Sequence, residues 1–251
     1  MKTKIFILAL FLFAQNIFAQ NVQWSDNSAR TVTKSHKEIG VFSPFTMGLT
    51  ESLEFSVHPF WFFMAPHIHL KKHWTDVKSF QISSLHNLSY ETPLLKMLSK
   101  NGTGGVLPPT REIPHFVKIN NALLIGKTYK EQYLTLQIGV DFSYGFGNST
   151  MPDIEYYLVY PRTYALNNLY TPYVAFDITG NLYKTIDYNY HTDNFFLTSK
   201  NPGFITEQAF QLIWRKSEKF NLKIGIIYTV GDFPYGKGEK ILPTIDCLWT
   251  F

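Results

Sequence analysis

The C-terminal stretch of this chain decides its fold: residues 241–251 read ILPTIDCLWTF. The odd-numbered positions are apolar or nearly so, namely Ile241, Pro243, Ile245, Cys247, Trp249 and Phe251. The even-numbered positions are mixed and mostly polar, namely Leu242, Thr244, Asp246, Leu248 and Thr250. Because successive side chains of a strand point to opposite faces, this pattern predicts a β-strand with one apolar, aromatic-tipped face. Such a strand suits lipid on one side and a lumen on the other.

The same period of two recurs along most of the sequence, in segments separated by turn residues. Predicted strands lie at 38–49, 53–63, 66–74, 79–90, 116–127, 133–146, 153–164, 171–190, 204–215, 221–233 and 241–251. The segment 171–190 is either one long strand or a hairpin that turns at 179–181, so the count is 11 or 12. Single-chain bacterial barrels have even strand numbers, which favours 12, with 10 possible.

The segment lengths favour a membrane barrel over a soluble β-sandwich, which shares the alternation. Strands of about 9–11 residues fit a tilted bilayer crossing, and aromatic residues such as Trp61, Trp74 and Trp249 stand at segment ends, where an interfacial girdle lies. We predict an all-β, transmembrane, antiparallel up-and-down β-barrel. A bulge is expected at 137–139, where the parity of its strand changes.

The composition agrees with this prediction. Hydrophobic residues make up 45% of the 251 residues and aromatic residues 17%, yet the mean hydropathy is −0.09, because alternating apolar positions average out. No apolar run reaches the roughly 18 residues of a spanning helix. The net charge of +4 is mild and scattered, which gives no argument for nucleic-acid binding. The single Cys247 excludes an internal disulfide.

The N-terminus predicts export. Lys2 and Lys4 form a basic region, and residues 5–13 are apolar. The sequence Ile17-Phe18-Ala19 is a plausible cleavage site before Gln20. The apolar run is too short for an uncleaved membrane anchor. We therefore predict a signal peptide at 1–19, an N-terminal periplasmic segment at 20–37 and the barrel at 38–251.

Both ends carry a resemblance. The last strand, with Trp249 and terminal Phe251, resembles the assembly signal of outer-membrane β-barrels, and Phe18-Ala19-Gln20 resembles the cleavage sites of Bacteroidota signal peptides. The resemblance implies an outer-membrane location, with the barrel insertion machinery, outer-membrane lipids and lipopolysaccharide as partners. It names no subfamily or substrate. Pro243 departs from the usual pattern by removing one ladder donor. We expect a monomer.

A row of histidines is the most pointed polar feature. His67, His69 and His73 share one strand face with Lys71, and a tight turn at 64–65 would place His58 beside Lys71 and Ser56 beside His73. These imidazoles suit either a transition metal or a pH-sensitive patch, but alternate residues lie about 7 Å apart. We therefore predict no metal and no cofactor. The predicted lumen-lining polar cluster comprises Glu54, Ser56, His58, His67, His69, Lys71, His73 and Gln81.

A second candidate is the sequence His191-Thr192-Asp193-Asn194, read as a solvated loop after a strand. It lacks the His-x-Ser-Asn arrangement of lipid A deacylases, so no catalytic residue is assigned. Asp141, Asp177 and Asp187 are expected to form inward salt bridges with Lys or Arg of neighbouring strands. The predicted function is a narrow channel, binding or scaffold barrel without catalysis. The alternative is an outer-membrane lipid hydrolase of the phospholipase or lipid A deacylase type.

Overall fold

Twelve antiparallel strands close into a barrel in the part of the chain that the computed structural model describes, residues 27–101, 107–154, 156–198 and 202–251. Each strand pairs with its neighbours in sequence, and β1 pairs with β12 to close the sheet. The strands are β1 (Lys37–Gly40), β2 (Phe45–Thr50), β3 (Leu53–Val57), β4 (His67–Val77), β5 (Phe80–Ser89), β6 (His115–Tyr129), β7 (Gln132–Phe146), β8 (Tyr170–Tyr183), β9 (Ile186–Leu197), β10 (Gly203–Ser217), β11 (Phe220–Phe233) and β12 (Gly236–Thr250).

The predicted fold class and the count of 12 strands are confirmed, although two errors cancel in that count. The predicted strand 38–49 is two strands, β1 and β2, because the chain bends at 41–44. The predicted strand 153–164 does not form, and a helix at Tyr160–Asn168 occupies part of it. The predicted signal peptide, 1–19, lies outside the described residues.

Two predicted irregularities are also wrong. Segment 171–190 does form a hairpin, but it turns at 184–185 rather than at 179–181. β7 pairs without a register shift on both sides of 137–139, so no bulge lies there. Gly139 instead faces inward beneath Tyr173, whose ring would lie 2.4 Å from an added Cβ. A small residue at this inward position makes room for the tyrosine.

The two ends of the barrel differ. We call the end with the short turns at 51–52, 78–79, 130–131, 184–185 and 218–219 the hairpin end, and Phe251 lies there. The opposite loop end carries the longer connections 41–44, 58–66, 90–114 and 147–169. Seven strands, β6 to β12, follow the 90–114 connection, so it lies at the end of the barrel opposite Phe251.

The outer surface is an apolar belt between two aromatic rims. Exposed aliphatic side chains occupy the outward positions of the strands, as at Leu88, Ile119, Leu123, Ile138, Ile224 and Ile226. Exposed aromatic side chains lie at the hairpin end, namely Trp74, Phe80, Tyr129, Tyr183, Trp214 and Trp249, and toward the loop end, namely Phe142, Tyr144, Phe146, Tyr170, Phe196 and Phe204.

Within the described residues, three short helices lie in the loop-end connections: α1 (Pro59–Phe62), α2 (Thr92–Leu98) and α3 (Tyr160–Asn168). The connections that carry α2 and α3 pack together through a small apolar core of Leu95, Leu107, Phe116, Met151, Ile154 and Leu166. Over the described ranges, no helix has the length and apolar character needed to cross a membrane.

Candidate functional site

The barrel interior holds a charged cavity, which we call the inner chamber. Its volume is about 200 Å³, room for several waters at about 30 Å³ each. Four strands, the N-terminal segment and α3 contribute to its wall. The lining includes Ser28, Arg162, Asp177, Asn189, His191, Asp193, Glu207, Gln211 and Lys223.

His191 lies between two carboxylates of the inner chamber. Its Nε2 is 3.1 Å from an oxygen of Asp193, two residues along β9, and its Nδ1 is 3.5 Å from Asp177 on the paired β8. Asp177 also accepts a hydrogen bond from Asn189 at 2.7 Å. The sequence interpretation of 191–194 as a solvated loop is therefore wrong. The long strand β9 continues through these residues and turns His191 and Asp193 inward.

Arg162 brings α3 into the barrel and joins it to the chamber wall. Its guanidinium donates two hydrogen bonds to Glu207 on β10, at 2.6 and 2.8 Å, and lies 3.8 Å from Asp193. Glu207 is buried, and Thr229 on β11 donates a further bond to it. The bidentate geometry holds α3 in place and supplies a cation to two inward carboxylates.

Replacing Arg162 with Gln should lower the free energy of unfolding by about 2 kcal/mol, because the buried Glu207 loses two charge-assisted hydrogen bonds. We expect a smaller loss than for a fully buried pair, since 44% of the Arg162 side chain is accessible. Urea titration of the refolded barrel measures the effect. Arg111→Gln, at an exposed position of the 90–114 connection, is the matched control, and an equal loss in both variants would contradict the assigned role.

The N-terminal segment enters the barrel from the hairpin end. Residues 28–32, here called the inner strap, run along the inside of the wall. Ala29 donates its N–H to Thr135 and accepts from the Ser83 hydroxyl at 2.5 Å. The guanidinium of Arg30 lies 3.9 Å from the centre of the Tyr133 ring and donates to Thr128. These contacts fix the strap to β5, β6 and β7.

A buried ion pair holds both ends of the inner strap. Lys71 and Glu54 face each other on β4 and β3 with 3.1 Å between Nζ and Oε1, and they are 2% and 4% exposed. The second Glu54 oxygen accepts from the Val32 N–H at 2.9 Å, and Lys71 donates to the Ser28 carbonyl at 3.3 Å. The two charges thus compensate each other and bind the strap.

The predicted register of the histidine row is wrong. Glu54, rather than His58, lies beside Lys71, and His69, rather than His73, lies opposite Ser56. The reason is the connection: α1 lengthens it to 58–66, whereas a tight turn at 64–65 was expected. The aromatic residues Phe60, Trp61 and Phe62, which fall in the predicted strand 53–63, form this helix.

His58 and His67 fasten this connection. His67 accepts from the His58 N–H at 3.0 Å, and its other ring nitrogen is 2.7 Å from the Ala65 carbonyl. The His58 ring accepts from the Trp61 N–H and so caps α1. Burial and the neighbouring His67 lower the pKa of His58, which keeps the ring neutral for this acceptor role.

The other predicted cluster members make separate contacts. The Ser56 hydroxyl pairs with Thr46 at 3.0 Å, His73 lies 3.4 Å from both Ser83 and Asp76, and Gln81 accepts from Tyr133 at 2.5 Å. The rings of His67 and His69 meet edge to face at 5.5 Å. Across the described part of the chain, no three His, Cys, Asp or Glu side chains form a group that could hold a metal ion.

Two of the three predicted inward aspartates form the expected pairs. Lys118 lies 3.4 Å from Asp141, and Arg215 lies 2.8 Å from the fully buried Asp187. Asp177 differs because its partner is His191 rather than a Lys or Arg. Sequence reasoning missed the strap, Arg162 and Glu207. Glu207 stands at an inward parity position of a predicted strand, which was the available signal.

The two predicted assembly-signal residues lie at the seam. Trp249 pairs with Ile39 of β1 and meets the Phe220 ring edge to face. The Phe251 N–H donates to the Lys37 carbonyl at 2.9 Å, and its side chain is exposed. Both aromatic side chains therefore stand on the outer surface where the barrel closes.

Comparisons with known proteins leave the family open. No family model matches the sequence, and no curated protein matches it. Among solved structures, the chain is similar to the ferric yersiniabactin uptake receptor FyuA of Yersinia pestis, with a TM-score of 0.22 and 8% identity. The match covers 88% of this chain but only 44% of that receptor, so the chain spans less than half of its length. The molecule is defined as a closed 12-stranded β-barrel by its own sheet topology.

Proposed function

We propose that this protein is an outer-membrane β-barrel that acts as a closed binding or scaffold barrel rather than as an open channel. The inner strap carries this proposal, because five residues held inside the wall by Glu54, Lys71, Ser83 and Thr135 obstruct the lumen from the hairpin end. From the loop end, α3 projects into the barrel and is held by Arg162. A chamber of about 200 Å³ remains.

The outer surface supports the membrane location. An apolar belt with an aromatic rim at each end is what a bilayer core and its two interfaces select. The inward positions, in contrast, carry buried Asp, Glu, Lys, Ser and Thr side chains. With Phe251 and the short turns at one end, we assign the hairpin end to the periplasm and the longer connections to the outside.

The ends of the chain supply the rest of this proposal. Export by a signal peptide at 1–19, a Bacteroidota origin and assembly of the last strand by the insertion machinery follow from the resemblance described for Phe18-Ala19-Gln20 and Phe251. Outer-membrane lipids and lipopolysaccharide are the surrounding partners. The lipid-hydrolase alternative finds no support at His191, because within the described residues its ring meets two carboxylates and not the hydroxyl or thiol of a nucleophile.

Planar-bilayer recording tests the closed lumen. We expect no stepwise conductance from the full-length protein and stepwise conductance after deletion of 27–33, because that deletion removes the inner strap from the lumen. A deletion of 148–149, two exposed loop-end residues, is the control and should stay silent. Circular dichroism first checks that each variant is a folded barrel.

Stepwise conductance by the full-length protein would overturn the closed-barrel proposal. Incubation with phospholipid or lipopolysaccharide tests the enzyme alternative on the same material. Release of fatty acid that is lost in His191→Ala would replace the proposal with a hydrolase.

A further inference from the structure

The barrel wall is low on one side. β1, β2 and β3 have 4, 6 and 5 residues, whereas β12 on one side of them has 15 and β4 on the other has 11. At about 3.3 Å per residue, the three short strands extend about 13–20 Å and β12 about 50 Å. Because β1 and β3 begin, and β2 ends, at the hairpin end, the missing wall lies on the loop-end side.

One edge of β12 is consequently open. β12 pairs with β11 along its whole length, but with β1 only through residues 248–250. Directly after β1, the Val41 N–H donates to the Cys247 carbonyl at 3.2 Å, and no described strand pairs with residues 236–246 on the β1 side. Elsewhere in the sheet, strands β5 to β11 have a neighbour on each side along most of their length.

The backbone nitrogen of Pro243, which carries no hydrogen, faces this gap. The N–H of Thr250 bonds to Lys219 on the β11 side, and the N–H of Phe251 bonds to Lys37 on the β1 side. Backbone groups alternate between neighbours along a strand, and β12 shows no register shift against β11. The nitrogen of Pro243 therefore faces the open edge, where proline hinders the pairing of a further strand. Its ladder with β11 loses no donor.

Inward positions of β12 beside the gap are exposed. Leu242 and Lys240 stand on the inward parity of β12, with Ile227 and Thr229 as their β11 partners. Leu242 is 40% exposed and Lys240 is also exposed, although Thr229, one strand away on the same inner face, is fully buried. The inward side chains of β12 are thus solvent-accessible at the level where the β1–β3 wall is missing.

A group of exposed aromatic side chains, Phe42 and 60–63, borders the gap on its hairpin-end side, and we call it the aromatic lip. α1 has no buried residue, and Phe60, Trp61, Phe62 and Phe63 are all exposed, Phe63 to 85%. Phe42, in the 41–44 connection, adds another exposed ring. Asp246 anchors that connection through hydrogen bonds from the N–H groups of 41–43 and the Ser43 hydroxyl.

We propose that this gap is a lateral opening that binds an acyl chain of an anionic lipid from the outer leaflet. The inference rests on the proposed membrane location. The acyl chain lies between the aromatic lip and the side chains of Ile241, Leu242 and Ile245 along the β12 edge. Lys240, one inward position further toward the loop end than Leu242, meets the anionic headgroup.

The chemistry of the edges selects this occupant. In a bilayer, lipid acyl chains fill an opening of this kind, because its aromatic and aliphatic side chains offer them an apolar surface. A β-strand of a second protein is disfavoured by Pro243 on the open edge. The exposed Lys237 and Lys240 near the rim add positive charge, which favours an anionic over a neutral headgroup.

Probe quenching by brominated lipid tests the opening. Three variants in a Cys247→Ser background each carry one new cysteine, Leu242→Cys, Ile241→Cys or Ile227→Cys, which is labelled with an environment-sensitive dye. Each labelled protein is reconstituted into vesicles whose lipids have bromine on the acyl chains. Ile241 faces outward, and Ile227 faces the lumen behind an intact wall. We expect quenching at 242 about as strong as at 241 and several-fold stronger than at 227.

The outcomes separate the two proposals. Quenching at 241 but not at 242 would overturn the lateral opening and leave the membrane location intact. Absence of quenching at 241 itself would overturn the membrane location. Disulfide-linked dimers of unlabelled Leu242→Cys would replace lipid by a second copy of the chain. The headgroup assignment predicts stronger quenching by brominated phosphatidylglycerol than by phosphatidylcholine, a preference that Lys240→Gln should abolish and Lys127→Gln should retain.

Discussion

Lys71→Met is expected to destabilise the barrel by about 3–5 kcal/mol, the cost of leaving a buried charge without its partner. Glu54 is 4% exposed and pairs with Lys71 at 3.1 Å, so the substitution removes the cation beside a buried carboxylate, to which the Val32 N–H still donates. The inner strap also loses the bond from Lys71 to the Ser28 carbonyl. Urea unfolding of the refolded protein, followed by tryptophan fluorescence, measures the loss.

Two companion variants decide whether the loss comes from the unpaired charge. Glu54→Gln combined with Lys71→Met removes both charges and should recover much of the lost stability, because a neutral pair avoids the uncompensated carboxylate. Lys72→Met is the matched control. Lys72 is the next residue on β4, and its amine lies 3.9 Å from the Trp74 ring centre, a contact worth about 0.5–1 kcal/mol at an exposed site. An equal effect at 71 and 72 would contradict the role of the buried pair.

Asp246→Ala is expected to cost about 3–4 kcal/mol, because several donors lose a charged acceptor at once. The three N–H groups of 41–43 and the Ser43 hydroxyl lie 2.6–3.0 Å from its carboxylate. The seam beside it is weak, since β1 and β12 share only three residue pairs. Loosening of 41–43 should therefore expose the seam as well as destabilise the fold.

Hydrogen exchange and urea unfolding together test this assignment. We expect protection at 41–43 to fall in Asp246→Ala, with Asp246→Asn intermediate because an amide keeps one acceptor oxygen. Asp76→Ala removes a carboxylate whose side chain is 60% exposed, and its loss should stay within about 1 kcal/mol. Unchanged exchange at 41–43 in Asp246→Ala would show that the carboxylate does not anchor the connection.

Much of the barrel was predictable because period two is a local property. From β4 to β12 the alternation identified most of the strands. Most two-residue turns fall between predicted strands, whereas the turn at 184–185 lies inside the predicted segment 171–190. The errors fall where apolar residues fill both parities. Four consecutive aromatic residues, 60–63, end the predicted strand 53–63, yet Pro59 begins a helix there. The helix at Tyr160–Asn168 likewise has Pro161 in its first turn, where proline is common in helices.

The candidate site was harder to predict because register is a long-range property. Glu54, Ser56 and Lys71 were recognised as inward, polar and neighbouring. Their pairing depended on the length of the 58–66 connection. Because a tight turn was expected there, every predicted partner was shifted along the strand. The inner strap has no periodicity, because its backbone bonds go to side chains such as Thr135 and Ser83 rather than to a strand ladder.

Side-chain alternation along the chain is enough to specify the all-β class, the two faces of most strands and the last strand of the barrel. The contents of the barrel and the gap in its wall, in contrast, arise when the strands close. The strap, the Arg162–Glu207 bond and the β12 edge bring together residues far apart in sequence. Their proximity depends on closure and strand length, which no local pattern encodes.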